Sequence, residues 1–325
     1  MRDQTGRTID YMRISITDRC NLRCRYCMPY GVESLPMREL LTYEEIEEVC
    51  RQGAALGIRH LKVTGGEPLV RKGCCGLMGR LLRIQGIEAV TVTTNGILLK
   101  ENLDGLLEAG VRAVNVSLDT LDRAEYEAIT GFDGLERVLS GIEAACRAGL
   151  QVKINAVSVD WRGDGNGCFR ELAGLAKDYP VDVRFIEMMP IGYGKQFKTI
   201  DHRTLIEAAK REFPGIQPDD GVHGYGPAVY FRVPGFQGGL GFISAIHGKF
   251  CAGCNRVRLT STGYLKPCLC YESGTDLRSI LRGPDFTGDQ LRRAMEAAIY
   301  AKPQAHCFER PEAVTETGNM IQIGG

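Results

Sequence analysis

The chain has 325 residues, 44% apolar and 25% charged, a globular composition long enough for one large domain or two ordinary ones. Forty basic residues balance forty acidic ones, which excludes a global electrostatic grip on a nucleic-acid polymer or an anionic membrane. Met1-Arg2-Asp3-Gln4 lacks the apolar core of a signal peptide and no run is long enough to span a bilayer, so the expectation is a cytoplasmic protein.

From the start to about residue 190, β-rich runs alternate with stretches carrying apolar residues at helical spacing. The pattern predicts strands at 11–17, 60–64, 89–94, 113–118, 152–159 and 181–188, with helices at 43–56, 103–109, 135–148 and 169–179. Gly57, Gly110 and Gly149 stand as helix stops. Repeated strand–helix–strand units predict parallel pairing. The unusual residues all follow strands: Cys20, Gly65-Gly66-Glu67-Pro68, Thr94-Asn95-Gly96, Ser117-Leu118-Asp119 and Met188-Met189-Pro190. In a (β/α) barrel such positions converge on one rim. No G-x-G-x-x-G follows a strand and no phosphate-binding loop occurs, which argues against an open dinucleotide-binding sheet. The expected fold is therefore α/β, a partial (β/α)6 TIM-like barrel.

After about residue 200 the rhythm changes. A helix at 204–212 leads into a Gly- and Pro-rich stretch, 214–241, and strands are predicted at 228–233, 239–245 and 257–260. The last continues through Ser261-Thr262-Gly263 into a hairpin partner at 264–268, and helical pieces follow at 276–281 and 288–300. The expected organisation is a barrel domain over 1–200 and a β-rich and helical extension over 201–325 that carries a second cysteine cluster.

Thirteen cysteines are too many for ordinary packing, and the expected compartment disfavours disulfides. Cys20, Cys24 and Cys27 form one group, and Cys251, Cys254 and Cys268 a second. Cys50, Cys74, Cys75, Cys146, Cys168, Cys270 and Cys307 have no ligand spacing and read as small buried residues. The first group has three soft ligands and no fourth nearby, which suits a four-iron cluster with one open iron better than a closed zinc site. Its spacing, with Tyr26 before the third cysteine, resembles the C-x-x-x-C-x-Φ-C signature of the radical S-adenosylmethionine (SAM) superfamily, and Gly65-Gly66-Glu67-Pro68 resembles that superfamily's second motif. The second group could hold a cluster, or could close around zinc by recruiting His247 or Cys270. Arg256 and Arg258 alternate along the strand beside it, so both leave on one face and make an anion site for phosphate or a purine edge.

Three stretches carry a closer resemblance: Phe185-Ile186-Glu187-Met188-Met189-Pro190-Ile191-Gly192, the segment 251–268, and the terminal Ile323-Gly324-Gly325. From about Arg7 onward the chain is similar to the molybdenum cofactor biosynthesis protein A family, the GTP 3′,8-cyclases. That resemblance implies a radical SAM lyase with two [4Fe-4S] clusters that converts GTP to 3′,8-cyclo-7,8-dihydro-GTP in the first step of molybdenum cofactor (molybdopterin) biosynthesis. A 5′-deoxyadenosyl radical takes hydrogen from C3′ of GTP, and C3′ then bonds to C8. It implies Cys20, Cys24, Cys27, Cys251, Cys254 and Cys268 as metal ligands, and Tyr26, Gly66, Ser117 and Met189 as contacts to S-adenosyl-L-methionine. Arg13, Lys62, Thr93, Lys153, Arg256 and Arg258 are the implied GTP contacts, and Arg256, Arg258, Gly324 and Gly325 the catalytic set. An electron donor of the flavodoxin or ferredoxin type and a downstream cyclic pyranopterin monophosphate synthase are the implied partners, and a homodimer is left open. Departures from the family pattern are the loop 161–167, the Cys74-Cys75 pair, and Cys270, which could compete with Cys268 for iron. Two alternatives stand beside this reading: a radical SAM enzyme of the peptide-maturase type with an auxiliary cluster, and a non-enzymatic zinc- or iron-binding module.

Overall fold

Val-, Ile- and Thr-rich runs covered on both faces make short parallel strands, and each amphipathic stretch between them lays its apolar stripe back on the sheet. The computed structural model describes every residue except 32–34, 164, 166, 324 and 325. The first half contains β1 (Tyr11–Ser15), α1 (Tyr43–Ala55), β2 (His60–Thr64), α2 (Cys74–Leu82), β3 (Ala89–Thr94), α3 (Leu103–Glu108), β4 (Ala113–Ser117), α4 (Arg123–Thr130) and α5 (Leu135–Arg147). Then come β5 (Gln151–Val157), α6 (Phe169–Asp178), β6 (Val181–Ile186), α7 (His202–Glu212), β7 (Gln217–Asp219), β8 (Val229–Arg232) and β9 (Leu240–Ile243). The remainder is β10 (Arg256–Leu259), β11 (Tyr264–Lys266), β12 (Thr275–Asp276), α8 (Leu277–Leu281) and α9 (Gly288–Tyr300).

All twelve strands belong to one sheet, in the order β12-β11-β10-β1-β2-β3-β4-β5-β6-β9-β8-β7. The six parallel strands expected from the sequence are present as β1 to β6. The sequence did not reveal that β10 pairs parallel to β1, and β9 parallel to β6, so that the parallel set is widened at both edges by strands from the last third of the chain. Antiparallel β11 and β12 continue one edge, and β8 and β7 the other.

Two helices and two short strands, β7 and β12, escaped the sequence reading. α2 carries Gly76 and Gly79 among its nine residues, a poor helix by propensity. Packing favours it instead: Leu77, Met78 and Leu81 are buried in the core, and at Gly79 the helix meets Ala109 at the end of α3, where a Cβ would stand in ordinary contact at 3.5 Å. α4 is short but well bounded: Asp122 accepts a hydrogen bond from the Glu125 amide at 2.7 Å, and Gly131 ends it with φ 71°. β7 holds a proline, tolerated because the strand lies at the sheet edge. Among the described residues no helix is long and apolar enough to cross a membrane.

A large core of side chains such as Met12, Ile14, Leu61, Val63 and Phe242 fills the space between sheet and helices. A smaller apolar cluster gathers Ile191, Leu269, Cys270, Cys307, Phe308, Val314 and Ile323 under the second cysteine group.

The widened edge depends on one close backbone approach. A Cβ at Gly238, just before β9, would stand 1.9 Å from the carbonyl oxygen of Val181 in β6. Gly238→Ala is therefore expected to cost more than about 3 kcal/mol, read as a lower urea midpoint with an unchanged m-value. A cost under about 1 kcal/mol would contradict this account of the edge.

Candidate active site

Strand register decides which side chains meet. Arg258 of β10, Arg13 of β1 and Lys62 of β2 are direct neighbours across three strands. Further round, Thr93, Asn115, Lys153 and Asp182 form one row, and Ser117, Asn155 and Arg184 the row above it. Side chains two residues apart share a face, so these rows stack on the inner side of the sheet. They border a cavity of about 350 Å³ that reaches both cysteine groups.

The cavity wall is rich in cations. Arg13, Lys62, Arg184, Arg256 and Arg258 all line it. Arg184 is held in place by Asn155, whose Oδ1 accepts from its Nε at 2.9 Å and its Nη2 at 2.6 Å. Burial, then the charges of Arg184, Arg13, Lys153 and Arg256, hold the Lys62 ammonium well below the usual lysine range. Burial and the neighbouring Arg258 bring Arg13 down to about 9. The Nε of Arg258 is buried with no hydrogen-bond partner. Like charges crowded in this way are unfavourable until an anion of several charges joins them.

Lys153 stands apart. Its Nζ lies 3.8 Å from an Asp182 carboxylate oxygen and 5.7 Å from the Tyr230 ring centre, and it does not border the cavity. The cation that does so from the neighbouring strand is Arg184, which sequence reasoning missed. The available signal was its inward position in Val181-Asp182-Val183-Arg184, two residues after Asp182.

The first cysteine group lies beyond the end of β1, where Cys24 closes a tight turn by accepting from the Cys27 and Met28 amides, each at 3.0 Å. The Gly-Gly-Glu-Pro loop clamps the approach to it. The Gly66 amide donates to Thr17 O at 2.7 Å and the Glu67 amide to Arg19 O at 2.8 Å, and a Cβ at Gly66 would sit 2.2 Å from Arg19 O. Glu67 ties this loop to the end of β3, accepting from Leu69 N (3.0 Å), Thr94 Oγ1 (2.8 Å) and Asn95 N (2.6 Å). Burial nonetheless lifts its carboxyl to about 7. The Tyr26 hydroxyl donates to Asp119 Oδ2 at 2.7 Å, while Asp119 Oδ1 accepts from Val157 N at 2.8 Å. Ser117, Met189 and Thr93 also line the cavity.

Cys251 and Cys254 flank a 3₁₀ turn (Cys251–Gly253), and Cys268 follows β11. Burial alone would raise the Cys254 thiol, but Lys302, Arg256 and Arg258 outweigh it and the thiol is lowered. Lys302 is fixed by donating to Arg256 O at 2.8 Å and Pro267 O at 2.5 Å. Arg7 donates to Cys251 O at 2.9 Å, and the His306 amide to Cys251 Sγ at 3.4 Å. Sequence reasoning missed Arg7, Lys302 and His306, which come from outside any motif. The two candidate extra ligands face elsewhere: His247 Nδ1 meets Glu187 Oε1 at 2.7 Å, and Cys270 Sγ is 3.1 Å from Cys307 Sγ. Cys268 lines the cavity and Cys270 does not. The expected Gly324 and Gly325 lie outside the described residues.

Both cysteine groups suit clusters. Burial pushes the Cys24 thiol well up, and Cys27, Asp119 and Cys20 push it further, so the three sulfurs feel one another. A tetrahedral zinc with Zn–S of about 2.3 Å would draw its thiolates to about 3.8 Å apart. Among the described residues, the only three-residue group with all ligand atoms within 4.8 Å is Glu187, Asp201 and His247. Neither cysteine triple has all its sulfurs within that distance among the described residues, and three soft donors without a fourth match the ligand set of a four-iron cluster with one open iron. Glu187 in that tighter group already accepts from Ile246 N at 2.6 Å and His247 N at 3.0 Å, the work of a structural staple.

Comparison with known proteins agrees with this layout. Residues 14–174 match the radical SAM superfamily, and residues 181–308 match the Molybdenum Cofactor Synthesis C family. The chain is 40% identical over 327 aligned residues to a GTP 3′,8-cyclase of Clostridium perfringens (strain 13 / Type A), covering 100% of both chains. It is 41% identical to one from Geobacter sulfurreducens, covering 99% of each. Among solved structures it is similar in fold to Streptococcus suis SuiB bound to S-adenosylmethionine, with TM-score 0.63 and 15% identity over 97% of this chain and 78% of that one.

The crowded cations generate a stability prediction. Lys62 is depressed in the folded chain, so across the window up to its ordinary 10.5 the unfolded chain holds more protons and the fold gains stability as pH rises. Lys62→Met removes this cost at all pH values. The variant is expected to unfold at higher urea concentration than the parent at pH 7, with the gap closing toward pH 10.5. A variant less stable at pH 7, or a gap that widens with pH, would overturn the assignment.

Proposed function

The chain belongs to the GTP 3′,8-cyclase family of the radical SAM superfamily, and from that premise we propose how its own residues divide the work of the reaction in molybdenum cofactor biosynthesis. The observation that carries the reading is the convergence of Arg13, Lys62, Arg184, Arg256 and Arg258 on one cavity between two cysteine groups. Cys20, Cys24 and Cys27 would hold one [4Fe-4S] cluster, and Cys251, Cys254 and Cys268 the other. Loaded with S-adenosylmethionine, the first supplies the one-electron chemistry by which hydrogen is taken from C3′ of GTP.

The protein's part is to bind, orient and shield. Five inward cations offset a triphosphate that no glycine loop cradles, and the lowered proton affinity of Lys62, Arg13 and Arg258 is restored when the anion arrives. Arg256 and Arg258 stand beside the second group and fix the nucleotide's position relative to it. Asp119 locks the Tyr26 ring through its hydroxyl, so the aromatic face beside Cys27 keeps one orientation for the cosubstrate. Gly66, Ser117 and Met189 complete that wall, with Gly66 admitting close backbone approach. Apolar side chains such as Leu22, Met28, Ile186 and Ile243 line the same cavity and exclude water from a reactive intermediate. Lys153, set back behind Asp182, is assigned the outer end of the triphosphate. An electron donor of the flavodoxin or ferredoxin type upstream, and the cyclic pyranopterin monophosphate synthase downstream, are the partners this reaction requires, in the cytoplasm.

Anaerobically reconstituted protein with dithionite is expected to form 5′-deoxyadenosine only when GTP is present, together with a product isomeric with GTP by mass spectrometry. Arg184→Ala is expected to raise KM for GTP ten- to hundredfold, the loss of one charge-assisted contact of roughly 1.5–3 kcal/mol, with S-adenosylmethionine binding unchanged. Cleavage indifferent to GTP, with GTP intact, would keep the superfamily and remove the substrate.

A further inference from the structure

Residues 314–323 form no long regular element, yet they are tied down at both ends of a path that runs from the second cysteine group to the first. At the first anchor, Glu316 meets Lys266 of β11 at 2.5 Å, with both side chains buried. Lys266 also donates to Glu272 O at 3.0 Å, the Glu316 amide donates to Cys270 O at 3.3 Å, and Thr315 Oγ1 accepts from Glu272 N at 3.1 Å. A buried ion pair is costly to break from one side.

The chain then makes a reciprocal turn, with Asn319 N donating to Gln322 Oε1 and Gln322 N to Asn319 O, both at 2.8 Å. This turn drives Ile321 inward to 2% exposure. Its Cδ1 stands 2.9 Å from where a Cβ on Gly66 would be, and Met320 and Ile321 both line the cavity. The Ile321 backbone hydrogen-bonds the Cys27 sulfur, and Cys27, Gly66 and Ile321 line the same cavity. Ile323 beyond it enters the small apolar cluster with Ile191 and Leu269.

We propose that Ile321 is a positioning residue for the first cysteine group, closing the wall made by Cys27 and Gly66, and that the Lys266–Glu316 pair holds it there from the strand leading into Cys268. What that wall faces, the cluster and its cosubstrate, rests on the function proposed above. The packing of Ile321 on Gly66 and its backbone contact with Cys27 do not.

The test uses the full-length chain. In cluster-free protein kept anaerobic, iodoacetamide labelling of each cysteine is followed by peptide mass spectrometry. Ile321→Ala is expected to speed labelling of Cys27 about fivefold or more while Cys254 is unchanged, and Ile321→Val to restore the parent rate. Glu316→Gln is expected to give the same Cys27-selective change. Because it leaves Lys266 buried and unpaired it could unfold, so Ile321→Ala decides. In reconstituted protein, Ile321→Ala is expected to bleach faster in air in the absorbance belonging to the first group, measured with Cys251, Cys254 and Cys268 replaced by alanine. Cys27 labelling equal to the parent's in Ile321→Ala would overturn the proposal, as would an equal rise at all cysteines. Failure of Cys20, Cys24 and Cys27 to bind iron in the parent would instead remove the proposed cofactor, leaving the labelling comparison intact.

Discussion

Charge repulsion organises this molecule's interior. Parallel register across β10, β1 and β2 sets Arg258, Arg13 and Lys62 side by side, and burial removes the water that would screen them. No carboxylate stands opposite Lys62 or Arg258 at ion-pair distance among the described residues. The acids that do line the cavity are committed elsewhere: Glu67 to three donors on the β3 loop, Asp119 to Tyr26 and Val157, and Glu187 to the 246–247 turn. The fold thus buries Lys62 and Arg258 with no facing carboxylate among the described residues, a cost in stability of the kind functional sites carry.

The cysteine groups sit at the margins of that interior, and backbone geometry brings them there. At the first group, two glycines let one strand's loop press on the next closely enough that any Cβ at Gly66 would collide with Arg19. At the second, cations from separate parts of the chain, Arg7 and Lys302, donate to carbonyls around the thiols instead of pairing with nearby acids alone. Lys302 thereby counters the burial of Cys254 without occupying the space in front of it.

Much of this was legible from the sequence, for reasons that differ by element. β1 to β6 were readable because each is a short apolar-rich run set among stretches of helical spacing, and five of the six are followed by chemically unusual residues. The thiol groups were readable because ligand spacing is a local property. Arg184 was not, since its role depends on register with Asn155 across 29 residues, and a lone arginine in a strand carries no local mark. Lys302 and His306 act on the second group from 46 and 55 residues away, and the Cys270–Cys307 contact that turns Cys270 from Cys268 spans 37. The flanking positions of β9 and β10 were hidden for the same reason: periodicity says that a segment is a strand, not which edge it joins. α2 was missed because burial of its apolar face, and not propensity, selects it.

The pairing of β1 with β10 also bears on how the chain is made. Asp10 and Asn255 meet at 2.7 Å across 245 residues, so the first strand synthesised keeps an open edge until nearly the whole chain has emerged. An exposed strand edge beside a row of buried cations invites mispairing, and contacts of such long sequence separation form late. The first cysteine group, by contrast, is complete within its first 27 residues together with the loop at 65–68. Assembly therefore has a built-in order: the amino-terminal thiols can be gathered on a half-made sheet, while the row Arg258, Arg13 and Lys62 is complete only after β10 has zipped onto β1.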